Sequence, residues 1–254
     1  GARVLDLHSH LLPALDDGAR TLDDAVAMAR AAAAAGVSVV CGTPHVRHDY
    51  PTSPEAMERA LAALRDRLAA DGVELDVRGG GELDLEWLER LQPNELARFG
   101  LGGNRRLVLL EFPYLGWPFA LGERVFELQL AGITAVLAHP ERSVDVQADP
   151  ERLRPLVEAG AVVQLTAASL AGDFGSAPAK AARRLLDLEL AHLVASDAHD
   201  AARRGFAFAP ALERLGDPAL ARWLTEEVPA ALLAGAELPD RPARRRRRRF
   251  GLGR

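Results

Sequence analysis

A single cysteine, Cys41, stands in a chain of 254 residues, so no internal disulfide can form and nothing points to secretion. No stretch of 18 or more residues is uninterruptedly apolar, and no membrane-spanning helix is expected. The first strand-like residues, Val4-Leu5-Asp6-Leu7, follow no charged or apolar leader pattern, and the expected location is cytoplasmic. Lysine is nearly missing: Lys180 stands alone beside 30 arginines. With the long alanine runs and 16 prolines, that shortage reads as base-composition bias and carries no function. Basic charge is also scarce where a nucleic-acid surface would need it. The formal net charge is −5, but eight arginines fall in residues 241–254, which hold no acid. Residues 1–240 therefore carry 23 basic against 36 acidic side chains. An acidic body suits cation binding and argues against an extended nucleic-acid surface.

What remains is an ordinary globular composition, 48% hydrophobic and 26% charged, sized for one large α/β domain over residues 1–240. Short apolar runs predict strands at 3–8, 37–43, 73–78, 107–112, 133–139, 161–166 and 191–197. Alanine- and leucine-rich stretches of helical period predict helices near 22–35, 54–70, 121–131, 150–159, 177–188 and 218–233. Gly36, Gly72, Gly132 and Gly160 stand where these helices should end. Repeated strand–helix units imply a parallel sheet with right-handed crossovers, and about seven strands favour a closed or nearly closed barrel.

The ends of the predicted strands carry the chemistry. His8, His45, Glu111, His139 and Asp197 each fall at or just past a strand's C-terminal end, and in a parallel barrel those ends share one rim. His8-Ser9-His10 places two imidazoles on one strand face, close enough to share a metal or, equally, to be satisfied locally. Glu111 follows the apolar Val108-Leu109-Leu110, and Asp197 follows Leu193-Val194-Ala195. A buried carboxylate needs a cationic partner. Five of the seven histidines lie in such pieces; His48 and His192 read as structural. Mixed imidazole and carboxylate donors suit Zn, Mn or Fe better than Mg.

The ordered set Asp6-Leu7-His8-Ser9-His10 with Asp16-Asp17-Gly18, Thr43-Pro44-His45, Glu111-Phe112-Pro113, His139-Pro140-Glu141-Arg142, Ala168-Ser169-Leu170 with Gly172-Asp173-Phe174-Gly175, and Ser196-Asp197-Ala198-His199 resembles the PHP (polymerase and histidinol phosphatase) superfamily. Within it the chain is most similar to the bacterial manganese-dependent tyrosine phosphatases of capsule and exopolysaccharide loci. That resemblance implies a TIM-like, distorted (β/α)7 barrel and up to three divalent ions, Mn first, with Fe, Co or Zn as alternatives. It implies metal ligands at His8, His10, Asp17, His45, Glu82, Glu111, His139, Asp197 and His199. Arg142 and Arg204 fall at phosphate-binding positions, Arg203 being the neighbour that could exchange with Arg204. The implied substrate is a phosphotyrosine protein, a tyrosine kinase of polysaccharide synthesis. The alternatives are a histidinol-phosphate type of phosphatase or a metal-binding scaffold without turnover.

Phosphate ester hydrolysis agrees with these residues. A water shared by two cations deprotonates near neutrality, compared with a pKa of roughly 15.7 in bulk. Arg142 can grip phosphate oxygens bidentately, and Asp17 or His199 can hand a proton to the leaving oxygen. Phe112, Tyr114, Trp117 and Phe119 follow Glu111 closely and either wall a phosphotyrosine ring or cap the fold. Cys41 to Arg47 matches the C-x5-R loop of cysteine-based phosphatases, but Pro44 removes a needed N–H, and Cys41 reads as a core residue. Arg244 to Arg249 form a like-charge run expected to be disordered, either a solvated end or a peripheral membrane contact.

Overall fold

The computed structural model describes residues 3–243. The arginine run at 244–249 lies outside the described residues.

Polar caps and Ala-rich interiors set the helices. Thr21 Oγ1 accepts from Asp24 N–H at 3.1 Å while Asp24 Oδ2 accepts from Thr21 N–H at 3.0 Å, a reciprocal box that starts helix Leu22–Ala34. Ser53 Oγ accepts from Ala56 N–H ahead of Pro54, which opens helix Pro54–Ala70. The four glycines expected to stop helices all adopt left-handed φ, between 66° and 100°.

Ten strands form among the described residues: β1 (Val4–Ser9), β2 (Val37–Gly42), β3 (His45–Arg47), β4 (Tyr50–Pro51), β5 (Asp76–Arg78), β6 (Glu82–Leu83), β7 (Leu107–Glu111), β8 (Thr134–Ala138), β9 (Val162–Thr166) and β10 (Leu193–Ala195). One sheet has the order β1-β2-β5, the other β10-β9-β8-β7-β6-β3-β4. Every pairing is parallel except β3 with β4. The fold is thus mixed α/β with parallel sheets, and the apolar runs of β7, β8 and β9 are buried as parallel strands require. The sheets continue one another, since β2 leads through Thr43-Pro44 into β3 and β5 leads through Gly79-Gly80-Gly81 into β6. At the other side His10 N–H donates to Ala198 O at 2.7 Å and Asp197 N–H to His8 O at 2.8 Å. A buried core runs from Val4 to Leu232, with Phe99, Phe112 and Phe208 fully enclosed. Each such side chain stabilises the fold by roughly 1.5–3 kcal/mol.

Departures from the expected elements have local causes. The strand expected at 73–78 begins only at Asp76, because Val73 N–H is taken by Leu68 O to close the preceding helix. Pro155 and Pro229 lack the N–H that a continuous helix needs. Residues 150–159 accordingly split into a 3-10 turn, Pro150–Leu153, and a short helix, Arg154–Glu158. The segment expected at 218–233 widens to a π turn at Trp223–Glu227 before helix Val228–Ala234. Arg241, at the start of the Arg-rich end, donates to Ala191 O and Leu186 O and lies over the Trp223 ring. No helix of the described residues is long and apolar enough to cross a membrane.

Candidate metal centre

Alternation along β1 sends the side chains of His8 and His10 the same way, and their Nε2 atoms face each other at 3.3 Å. Glu82 Oε2, from β6, lies 3.4 Å from both, and Asp197 Oδ1, from beyond β10, lies 3.3 and 3.2 Å away. His45 Nδ1 is 3.0 Å from Glu82 Oε2 and 3.7 Å from Glu111 Oε2. Asp17 Oδ1 stands 3.5 Å from His45 Nε2 and 3.3 Å from His199 Nε2. His139 Nε2 meets Glu82 Oε1 at 3.0 Å. All nine residues proposed as ligands from the sequence therefore meet at one end of the sheets.

Partners behind the rings fix their aim. His8 Nδ1 bonds Gln164 Oε1 at 2.8 Å, His10 Nδ1 bonds Asp16 Oδ2 at 2.7 Å, and His199 Nδ1 bonds the Asp197 carbonyl at 2.9 Å. Each leaves Nε2 turned inward, the arrangement that orients metal-binding imidazoles. Two of these partners, Gln164 and Asp16, were missed by the sequence reading. A glutamine inside the apolar run of β9 and the first acid of Asp16-Asp17-Gly18 were the available signals.

Electrostatics ask for positive charge here. Burial disfavours a charged imidazole at His8, yet the Glu82 and Asp197 carboxylates push it up to about 9. Against the same penalty of burial, Asp16 raises His10 well above the usual value. Burial also opposes ionisation of Glu82 and Asp197, but the surrounding imidazoles hold both well below the carboxylate range. Burial, with Glu82 beside it, raises Glu111. The hydrogen bond with His199 holds Asp17 below its ordinary value. Glu82 Oε2 and His45 Nδ1, although 3.0 Å apart, lack the alignment of a hydrogen bond, and both are buried without another such partner. These two atoms, converging without bonding each other, fit a shared cation. Three groups of ligand atoms lie within 4.8 Å of each other: His8, His10 and Glu82; His45, Glu82 and Glu111; His10, Asp17, His45 and His199. The donor set suits divalent metal ions.

Two of the candidate ligand positions are strained. His139 (φ 42°) and Asp197 (φ 50°) are left-handed non-glycine residues at strand ends. Such strain collects at functional sites, and His and Asp tolerate this region better than most residues.

Above the cluster is a cavity of about 180 Å³ walled by Arg47, Tyr114, Arg142 and Arg204. Arg142 Nη1 bonds Asp197 Oδ2 at 2.8 Å, its guanidinium lying over Tyr114 and Phe174. Arg204 Nη2 reaches the same oxygen at 3.5 Å, whereas Arg203 is exposed. Arg47, unassigned from sequence, bonds Glu111 Oε1 at 2.8 Å. Of the aromatic run, Phe112 and Trp117 pack edge-on, while Tyr114 stacks on His139. Burial pushes the Cys41 thiol upward, with Asp6 reinforcing it, and Arg47 is already committed to carboxylates. That leaves no thiolate chemistry. Exposed His48 and His192, whose Nδ1 accepts from Val163 N–H at 3.0 Å, stand apart from the cluster.

Residues 4–220 match the family model described as capsular polysaccharide synthesis, CpsB/CapC. The chain belongs to the CpsB/CapC family. A CpsB/CapC relative, the tyrosine-protein phosphatase YwqE of Bacillus subtilis, is 35% identical over 257 residues, covering 96% of this chain and 98% of YwqE. The putative tyrosine-protein phosphatase CapC of Staphylococcus aureus is 32% identical over 206 residues, 80% of each chain. A solved structure from work on YwqE of Bacillus subtilis and CpsB of Streptococcus pneumoniae, described as unique metal-dependent tyrosine phosphatases, superposes with a TM-score of 0.85. It shares 35% identity and covers 95% of this chain and 100% of its own.

Proposed function

We propose that this CpsB/CapC chain is a metal-dependent tyrosine-protein phosphatase whose substrate is a phosphotyrosine protein, a kinase of polysaccharide synthesis. The observation that carries the reading is the convergence of imidazoles and carboxylates beneath two arginines. In this reading His8, His10, Asp17, His45, Glu82, Glu111, His139, Asp197 and His199 hold up to three cations, manganese first. The β2–β3 and β5–β6 continuities, with the bonds from His10 and Asp197, support treating the two sheets as one distorted seven-stranded barrel. Bound divalent ions would supply Lewis acidity and a water acidified toward neutrality. Arg142 and Arg204 bind the phosphoryl oxygens, and Tyr114 walls the cavity against the substrate ring. Asp17 or His199, 3.3 Å apart at the rim, whichever is not engaged by a cation, hands a proton to the departing phenolate, which needs little help.

The test is chelation and add-back of Mn, Fe, Co or Zn, with an aryl phosphate, a phosphotyrosine peptide and histidinol phosphate compared. Turnover should return with metal and favour the tyrosine substrates. Cys41→Ser should keep its rate, and His139→Ala should lose roughly 100-fold or more. Loss on Cys41→Ser with retention on His139→Ala would sink the reading.

A further inference from the structure

Residues 1–240 are acidic in sum, yet one groove is not. A groove of about 820 Å³ beside helices Ser176–Asp187 and Phe208–Leu215 is lined by Lys180, Arg183, Arg184 and Arg214, with Asp187 its one acidic lining residue. Lys180 is the chain's only lysine. Elsewhere Arg98, Arg124 and Arg154 each pair with glutamates. All four groove cations are exposed, and Arg184 is near enough to Glu151 to favour its ionised form. Four like charges against one lining carboxylate leave the groove with a positive potential that favours an anion.

The groove is built, not incidental. Arg183 Nη2 donates to Arg214 O at 2.9 Å, tying the two helices together. The Arg214 guanidinium lies against Gly172, where a Cβ would come within 2.8 Å of Nη1; Gly172 also has φ +90°. Any side chain there would push Arg214 away.

Its position connects it to the metal centre. Gly172 and Gly175 line the groove, while Asp173 and Phe174 between them line the cavity of about 350 Å³ that holds Asp197 and Arg204. Phe174 also carries the Arg142 guanidinium, 4.5 Å from its ring centroid. Adjacent residues of this one loop line both sites, and its four residues span at most roughly 14 Å. An extended substrate with its phosphotyrosine at Arg142 would lay residues about three to six positions away over the groove.

We infer that this groove is an exosite for an acidic segment flanking the phosphotyrosine of the protein substrate, an inference that rests on the phosphatase reading above. Recognition is by carboxylate or phosphate charge, so it raises affinity for acidic substrates without touching the reacting atoms.

The metal-loaded full chain and its Lys180→Glu/Arg183→Glu/Arg214→Glu variant would be assayed on p-nitrophenyl phosphate and on two phosphotyrosine peptides, flanked by glutamates or by glutamines. Direct binding of the unphosphorylated glutamate peptide would be followed by fluorescence anisotropy. The native chain should show a KM roughly 5- to 20-fold lower for the glutamate peptide, an advantage lost at about 0.5 M salt. The variant should lose that advantage and the anisotropy signal while hydrolysing p-nitrophenyl phosphate as before. If charge reversal prevents folding, Lys180→Gln/Arg183→Gln should show the same loss in smaller measure. Equal KM values for the two peptides on the native chain, or an advantage that survives in the variants, would overturn the exosite. So would a variant that keeps peptide discrimination but loses binding to phosphatidylglycerol vesicles, which would make the groove a membrane contact. Absence of p-nitrophenyl phosphate turnover with every metal would instead sink the phosphatase reading, and the anisotropy comparison would then decide the groove alone.

Discussion

At the scale of single residues, the centre is held together by charges that need a cation between them. His8 sits near 9 because two carboxylates outweigh its burial, so at pH 7.5 the metal-free ring is protonated. A raised histidine stabilises the fold fully below its unfolded value of about 6.5, and that contribution is lost as pH rises through about 9. With His8 and His10 holding the metal as proposed, both rings must be neutral, so loading expels this proton and that of His10, which is likewise raised. Titration calorimetry of manganese in buffers of different ionisation heat should therefore report about two protons released per protein. Glu82→Gln, which removes the carboxylate facing both rings, should lower that number together with the affinity. Unchanged heats across buffers would show that the rings are already neutral.

At the scale of elements, the site depends on a strand that is interrupted just before its ligand. Gly79-Gly80-Gly81 breaks the path from β5 to β6, and Glu82 follows at once. A Cβ on Gly81 would fall 2.8 Å from the Phe99 ring and 3.0 Å from Val46 Cγ2, both buried. Gly81→Ala should therefore destabilise by about 1–3 kcal/mol and shift Glu82, which thermal melts and manganese affinity would register together. A variant melting like the native chain with full affinity would contradict the tight approach. This element also shows what a linear reading can and cannot see. Glu111 and Asp197 end apolar runs, so their burial and common rim were legible from alternation and strand ends alone. Glu82 lies on a two-residue strand after three glycines, a pattern with no periodicity, and only the family motif drew it out. Gln164 and Arg47 act through contacts 156 and 64 positions away, which no local pattern encodes. The helix breaks at Pro155 and Pro229 were visible as prolines, but their outcome, a 3-10 turn in one case and a π turn in the other, was set by packing.

At the scale of the whole molecule, pH and metal act on one fold from different places. His192 is far from the cluster; burial, then the nearby Arg241, depresses it to about 4. Above about 6.5 it is neutral folded or unfolded and contributes no pH dependence. Between 6.5 and 4 only the unfolded chain takes up the proton, so stability falls as pH falls, by about 3 kcal/mol in total. Urea denaturation of the native chain and His192→Asn across pH 4–7 should show a steeper acid loss for the native chain. Parallel curves would refute the burial argument.

His8 lies in the first strand and His10 directly after it, while Asp197 and His199 are made nearly two hundred residues later, and the backbone bonds at Ala198 and His8 join these stretches. A ribosome that has already released β7 and β8 has therefore produced most of the candidate ligands but none of the completed cradle. Two of the three candidate donor groups are complete in sequence by Glu111, and only the third waits for His199. That third group closes last, as a latch thrown once the two distant ends of the sheet have found each other.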